Sequence, residues 1–302
     1  MKIIVALGGN ALIEKRKEHS FENQQKAAKL AMKNVAVLVS AGHKVAVMHG
    51  NGFQVGQLLL QSPFLPLEVD VAESQGQIGY LLSQALLNEF SKRLGSKTSA
   101  VVLTHVVVDK NDQAFKNPSK PIGPAYSKKE VLVLQKKGVK FVKEAGKGYR
   151  RVVASPAPQE IVELKTISKL FNSSTTVICC GGGGIPVVKE NGMFKGVGAV
   201  IDKDLASSLL AIKLKAGVLL ILAAVDFVFL NFGKKNQKKI SQMTIKEAKK
   251  YLREGHFSAG SMGPKILAAI KFLENGGEKV IICSVKNALM ALKGKTGTVI
   301  TR

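Results

Sequence analysis

Short apolar runs that end in glycine and hand over to a helical stretch recur along this chain. That repeat restricts the fold to an α/β architecture with a largely parallel sheet. The first unit is an apolar strand over 2–7, then Gly8-Gly9-Asn10, then a helix over about 21–40 with apolar residues at Ala27, Leu30, Ala31, Val35 and Leu38. The second is a strand over 44–48, then His49-Gly50-Asn51-Gly52, then a helix through Val55 and Leu58 to Leu60. A long helix over 76–94 leads to a third strand over 100–108. From 109 to 149 the composition shifts to Lys, Pro and Gly, with Pro118, Pro121, Pro124, Gly138, Gly146 and Gly148, which reads as an excursion from the sheet.

The alternation then resumes: a strand over 151–154, a helix over 160–171, a strand over 176–180, and the loop Gly181-Gly182-Gly183-Gly184. A helix over 203–214, a strand over 218–222, helices over 244–253 and 264–274, a strand over 279–283, a helix over 286–292 and a strand over 298–301 complete it. Two α/β halves thus flank the excursion. Ligands of open α/β sheets bind beyond the carboxyl ends of the strands, where these glycines lie.

Composition narrows the classes. With 302 residues, 46% hydrophobic and 22% charged, the chain has the apolar content of a folded protein, and 29 Gly with 9 Pro is far from collagen-like or low-complexity usage. The longest apolar run, 217–225, stops at Asp226, short of the roughly 20 residues a bilayer requires. The apolar start over 3–7 is shorter than a secretory core of about 7 to 15 residues, so a cytoplasmic protein is expected. Cys179, Cys180 and Cys283 show neither a disulfide framework nor metal-ligand spacing and read as packed strand residues. The formal net charge of +24 favours anionic ligands. Its lysines are scattered in pairs such as Lys128-Lys129 and Lys238-Lys239, without an aromatic-interleaved basic stripe, so nucleic-acid binding is not the expected function.

Glycine loops after strands let backbone amides approach anionic oxygens closely. Two familiar phosphate fingerprints fail here. Gly294-Lys295-Thr296 ends like a P-loop, yet Leu289 stands where its first glycine belongs and a strand follows. Gly181–Gly184 runs into Ile185-Pro186-Val187 and lacks the GxGxxG-to-helix arrangement of a dinucleotide fold.

Taken together, the strings Val5-Ala6-Leu7-Gly8-Gly9-Asn10-Ala11, His49-Gly50-Asn51-Gly52 and Val200-Ile201-Asp202-Lys203-Asp204-Leu205-Ala206 resemble those of the carbamate kinases, members of the amino acid kinase family. So do Phe115-Lys116-Asn117-Pro118 with Lys120-Pro121-Ile122-Gly123-Pro124, Gly181 to Val187, Gly260-Ser261-Met262-Gly263-Pro264-Lys265 and Gly294 to Val299. The resemblance spans essentially the whole chain. It implies a three-layer sandwich with a protruding lid subdomain at about 109–149, a carbamate or carbamoyl-phosphate half over 1–170 and a nucleotide half over 171–302. The implied reaction is reversible phosphoryl transfer between ATP and carbamate with Mg²⁺ on the nucleotide phosphates, in a homodimer, as in arginine catabolism.

By motif, Lys203 would stabilise the transferring phosphoryl group, Lys265 would touch the nucleotide phosphates, and Lys120 would arrive from the excursion. Asp202 and Asp204 would orient these lysines or hold the Mg²⁺ shell, with the metal bound mainly through phosphates. Gly8, Gly9, Asn10, Gly50, Asn51 and Gly52 would form the carbamate side, their amides facing the acceptor. Gly182, Gly183, Asp204, Ala223 and Met262 would line the nucleotide. Many amino acid kinases carry a lysine at the place of Ala6. Carbamate kinases resemble this chain in lacking it, and Lys120 would supply the missing charge.

The chain departs from the family pattern at Phe53, where proline is usual, at Glu73, where an apolar residue is common, at Ala223, where threonine is usual, and in a short segment between Gln61 and Pro66. Phe53 leaves open a paralogue acting on another small carboxylate, and the charge leaves open a nucleotide- or nucleic-acid-binding protein without turnover. His49 is tempting as an acid or base, but transfer to an already anionic carbamate needs neither.

Overall fold

A computed structural model describes residues 1–9, 20–136, 138–144, 148–173, 175–258 and 260–302. Asn10, Lys137 and Gly146 lie outside the described residues. The chain opens with β1 (Lys2–Leu7), α1 (Phe21–Ser40), β2 (Lys44–His49), α2 (Gly52–Gln61), α3 (Leu67–Arg93), β3 (Thr98–Val102), β4 (His105–Val108) and α4 (Gln113–Lys116). There follow β5 (Lys120–Tyr126), α5 (Lys128–Gln135), β6 (Phe141–Glu144), β7 (Gly148–Val153), β8 (Pro158–Ile161), α6 (Leu164–Asn172), β9 (Thr175–Cys179), β10 (Ile185–Glu190) and β11 (Met193–Gly196). The remainder is α7 (Lys203–Lys213), β12 (Val218–Ala223), β13 (Val228–Leu230), β14 (Lys238–Ile240), β15 (Gln242–Thr244), α8 (Ile245–Arg253), α9 (Met262–Glu274), β16 (Lys279–Ser284), α10 (Ala288–Leu292) and β17 (Thr298–Thr301).

The main sheet has eight strands in the order β15-β17-β16-β12-β1-β2-β9-β3, parallel except where β16 meets β17. β1 is apolar from Ile3 to Leu7 because helices cover both of its faces, the condition under which a strand reads as a continuous hydrophobic run. Its side chains divide by parity. Ile3, Val5 and Leu7 join Ala31, Val35, Leu82 and Leu86 of α1 and α3 in one core. Ile4 and Ala6 join Leu210 of α7 and Ile266 and Ala269 of α9 in the other. This is a three-layer sandwich, as expected.

The helix starts have local causes. Ser20 caps α1 by accepting from Asn23 N at 3.3 Å, and Thr244 with Glu247 forms a capping box at α8.

Several boundaries differ from the sequence expectation. The strand expected over 100–108 is two strands in two sheets: β3 edges the main sheet, whereas β4 belongs to a second sheet ordered β11-β10-β4-β8. The break falls at Leu103-Thr104, and β-propensity alone does not signal a change of sheet. The strand expected over 151–154 is part of β7, which pairs with β5 and β6 in the excursion's own antiparallel sheet rather than resuming the alternation. The helix expected from 160 begins at Leu164, after β8. The long helix expected over 76–94 begins nine residues earlier, at Leu67. The hairpins β10–β11 and β13–β14 were not foreseen from periodicity, being short and flanked by the same glycine and lysine signals as loops.

The excursion is anchored, not detached. Ile122 and Val153 share a small core with Val55 and Leu59 of α2, Val71 of α3, Ile185 and Val200. α2 crosses β5 at Gly56, where an added Cβ would lie 1.8 Å from Gly123 Cα, so backbone meets backbone there. Gly123 also sits at φ +68°, a conformation that glycine adopts without strain.

Candidate active site

The parallel strands deliver their carboxyl ends to one edge, and the expected glycines follow there. Gly8 N donates to Leu222 O at 2.8 Å and Gly50 N to Leu7 O at 2.9 Å, so these two amides serve the sheet rather than face outward as the sequence reading expected. What Gly50 contributes is close approach. An added Cβ would lie 2.8 Å from Gly9 N and 3.4 Å from Lys203 Cδ, which brings the first glycine turn, the second and the lysine together. Asn51 is buried, its Nδ2 donating to Ser74 Oγ at 2.8 Å, and its amide packs on Gly182. Gly52 opens α2 near Pro121 of β5.

The Gly181–Gly184 loop begins at Cys180, whose φ of +50° turns the chain out of β9. Gly183 N donates to Cys180 O and Gly184 N to Gly181 O, each at 3.0 Å. A Cβ at Gly182 would strike the Asn51 amide and one at Gly183 would strike Ile201 O at 2.7 Å, so the loop is wedged between the acceptor-side turn and the residue preceding Asp202.

Charge concentrates at the start of α7. Asp202 caps this helix, Oδ1 accepting from Asp204 N at 2.9 Å, while Oδ2 pairs with Lys120 of β5. Asp204, 3% exposed, pairs with Lys203 through Oδ1 and with Lys265 of α9 through Oδ2 at 2.9 Å. Three lysines and two aspartates from three elements thus form adjoining ion pairs, and the sequence motifs assign a role to all five. Burial pushes the Lys203 ammonium below its ordinary range and Lys265 adds to this, opposed by Asp204. For Asp204, burial works to raise its carboxyl, but the two lysines outweigh that and hold it far below the usual range. Burial also works against charge on Lys265, and Asp204 reverses the balance, raising it. A desolvated ammonium crowded by a second cation gains from an arriving anion, which is what a phosphoryl group offers.

His49 is buried, its Nδ1 3.3 Å from Gly50 O, with its ring against Gly181. Burial, with Lys203 adding to it, pushes the imidazole down to about 4, so it is neutral at working pH and packs rather than carrying charge. Ala223 ends β12 buried and Met262 opens α9 partly buried, both against the core beneath α7. They lie outside the ion-paired group. Cys179, Cys180 and Cys283 are free and buried.

Ser74 and Gln75, absent from the expected site residues, hold the glycine loops. With α3 taken to begin at Gly76, they fell outside any element. The available signal was a pair of polar residues inside a helix's buried stripe.

A family model described as the amino acid kinase family matches residues 1–284. The carbamate kinase of Thermococcus kodakarensis is 45% identical over an alignment of 312 residues that covers 100% of this chain and 99% of the relative. That of Clostridium perfringens is 47% identical over 314 aligned residues, covering 100% of each. The chain belongs to the carbamate kinases of the amino acid kinase family. Among solved structures, a carbamate kinase from Giardia lamblia bound to AMP-PNP superposes with a TM-score of 0.90 at 41% identity, covering 99% of this chain and 98% of that one. Ala6 lies buried near the end of β1. Lys120, brought in from the excursion, stands with Lys203 and Lys265 in the ion-paired group.

Proposed function

We propose that the chain catalyses reversible phosphoryl transfer between ATP and carbamate, in the direction ADP plus carbamoyl phosphate to ATP plus carbamate when it serves catabolism such as arginine breakdown. The observation that carries this is the buried Lys203–Asp204–Lys265 group beside Gly9 and Gly50, in a chain 45% identical to a carbamate kinase over 100% of its own length and 99% of the relative's. In the ATP-forming direction a β-phosphate oxygen of ADP attacks phosphorus, the bond from phosphorus to the acyl oxygen breaks, and its electron pair leaves with carbamate. No proton moves at the reacting oxygens, which suits a site whose buried His49 is neutral. Lys203 would meet the transferring phosphoryl group, Lys265 the ADP phosphates, and Lys120 the acyl-phosphate side. Asp202 and Asp204 hold these ammonium groups in place, and Gly182, Gly183, Ala223 and Met262 would border the nucleotide. Gly8, Gly9, Gly50, Asn51 and Gly52 would surround the carbamate side, by close approach more than by donated N–H bonds.

Mg²⁺ would travel with the nucleotide and neutralise its phosphates. Among the described residues no group of three or more His, Cys, Asp or Glu side chains is placed to hold a metal; the nucleotide phosphates would be its main ligands. The Asp202 oxygens each accept one bond and retain a lone pair, which fits a water of the Mg²⁺ shell. A homodimer is supported by an apolar face of Tyr80 and Leu87 on α3 and Val101 and Leu103 at the sheet edge, all exposed. Gly79 lets α3 close onto Val101 within this face. Among the described residues no helix is long and apolar enough to cross a membrane. Free buried thiols suit a cytoplasmic setting.

The reading is tested by coupled ATP production from ADP with carbamoyl phosphate, acetyl phosphate or another acyl phosphate. Preference for carbamoyl phosphate is expected; preference for a different acyl phosphate would move the chain to a paralogous activity.

A further inference from the structure

The two glycine loops are held by consecutive residues of one helix. Ser74 Oγ of α3 accepts from Asn51 Nδ2 at 2.8 Å and donates to Val71 O at 2.6 Å, which ties the acceptor-side turn to α3. Gln75, 2% exposed, grips the other loop and the neighbouring strand break. Its Nε2 donates to Gly181 O and to Thr104 O, both at 3.1 Å, and its Oε1 accepts from Thr104 N at 2.9 Å. The side-chain amide thus pairs with Thr104 as a strand backbone would, at the point where the chain leaves β3 for β4. The Thr104 hydroxyl accepts from Cys180 N at 3.0 Å, which fixes the residue that turns into the loop.

Gly181 O is therefore held from two sides, by Gln75 Nε2 and by Gly184 N at 3.0 Å. A trans peptide sets the following N–H opposite its carbonyl. With Gly181 O turned toward α3, the Gly182 N–H must point away from α3. The loop's two internal bonds come from Gly183 N and Gly184 N and leave this N–H out of the turn. Gly182 itself carries no side chain, and a Cβ there would lie 2.0 Å from Asn51 Nδ2.

The geometry points to Gln75 as a positioning residue that fixes the Gly181–Gly182 peptide and so aims the Gly182 N–H at the transferring phosphoryl group. This rests on the phosphotransferase reading above. Gln75 touches no substrate; it acts through Gly181, while Ser74 sets the facing turn, so one step of α3 sets the separation of the two loops. Oriented donors matter most in the transition state, and misplacement by about 1 Å can cost on the order of 10² in rate.

Gln75→Met keeps the volume and removes all three bonds, and Gln75→Glu keeps the shape and removes the two donated ones. Both should lower kcat for ATP formation about 10- to 100-fold, with KM for ADP unchanged within about threefold. Affinity for ADP with fluoroaluminate, a mimic of the transferring group, should fall by the same factor as kcat, while affinity for ADP alone stays. A residue that merely supports the fold would lower the melting temperature without moving that ratio at 15 °C. The proposal is overturned if Gln75→Met keeps parental kcat, if only KM rises, or if both variants are unfolded at 15 °C. The parent's rate in the same assay tests the functional reading, and the variant-to-parent ratio tests Gln75, so the two failures are told apart.

Discussion

Asp70 has the least comfortable environment of any acid described. It lies in the first turns of α3, fully buried, and neither carboxylate oxygen has a hydrogen-bond partner among the described residues. Burial pushes its carboxyl up to about 6, Glu73 and Glu68 push the same way, and Arg151 of β7 opposes them. The folded state then holds this proton more tightly than the unfolded chain does, so its contribution to stability is full below about pH 4 and is lost as pH rises toward 6. Asp70→Asn should raise the melting temperature at pH 7.5 and flatten its fall between pH 4 and 6, an effect on the order of 3 kcal/mol. Melting curves of the two proteins at matched pH check this; an unchanged or lower melting temperature at pH 7.5 would remove the buried charge from the account. Single residues were unevenly legible in the sequence. Lys203 and Asp204 stand out because opposite charges adjoin directly after the apolar run Ala199-Val200-Ile201, whereas Asp70 and Gln75 look like any polar residue of an amphipathic helix until the far side of the helix is seen to be covered.

The elements that a sequence shows best are those whose periodicity is long and unbroken. α1, α7 and β1 fall within a residue of expectation, since each carries an unbroken apolar pattern along its own length. The excursion was visible only as a change in composition. Its antiparallel sheet β5-β7-β6 depends on pairing between residues about 30 apart, such as Lys120 with Val153, which periodicity cannot report. This element carries Lys120 to Asp202, and its contact with α2 runs through Gly56 and Gly123. Were the sheet to close further over the acceptor, Lys120 would move with it. Closure over the acceptor would exclude water from labile carbamoyl phosphate and strengthen the field of Lys120. Hydrogen exchange over β5, β6 and β7 should therefore slow when ADP and carbamoyl phosphate are both bound, and Lys120→Ala should lower turnover strongly with ADP affinity near parental. Exchange indifferent to ligands together with a fully active Lys120→Ala would mean that the sheet is a static support.

For the whole molecule, the fold class was legible because a repeated strand–glycine–helix unit admits few arrangements, while strand order was not. β9 lies between β2 and β3, so one continuous sheet runs through both halves of the chain. The apolar face at Tyr80, Leu87, Val101 and Leu103 predicts that Leu103→Asp shifts the sedimentation profile from dimer to monomer; a parent that sediments as a monomer at micromolar concentration would refute the pairing. The net charge of +24 acts at the same scale. If it steers anionic substrates, kcat/KM should fall as salt rises past about 0.15 M while kcat holds, because screening weakens encounter more than buried pairs. A kcat/KM independent of salt would leave the charge without a part in encounter. Above all, the buried Lys203, placed by Asp204 between two glycine loops, should stabilise the group in flight. Single-turnover ATP formation from ADP and carbamoyl phosphate measures this directly. Lys203→Ala should be slower than the parent by about 10² to 10³, the scale of losing one preorganised donor, with ADP affinity retained. Equal single-turnover rates for the two proteins would contradict it.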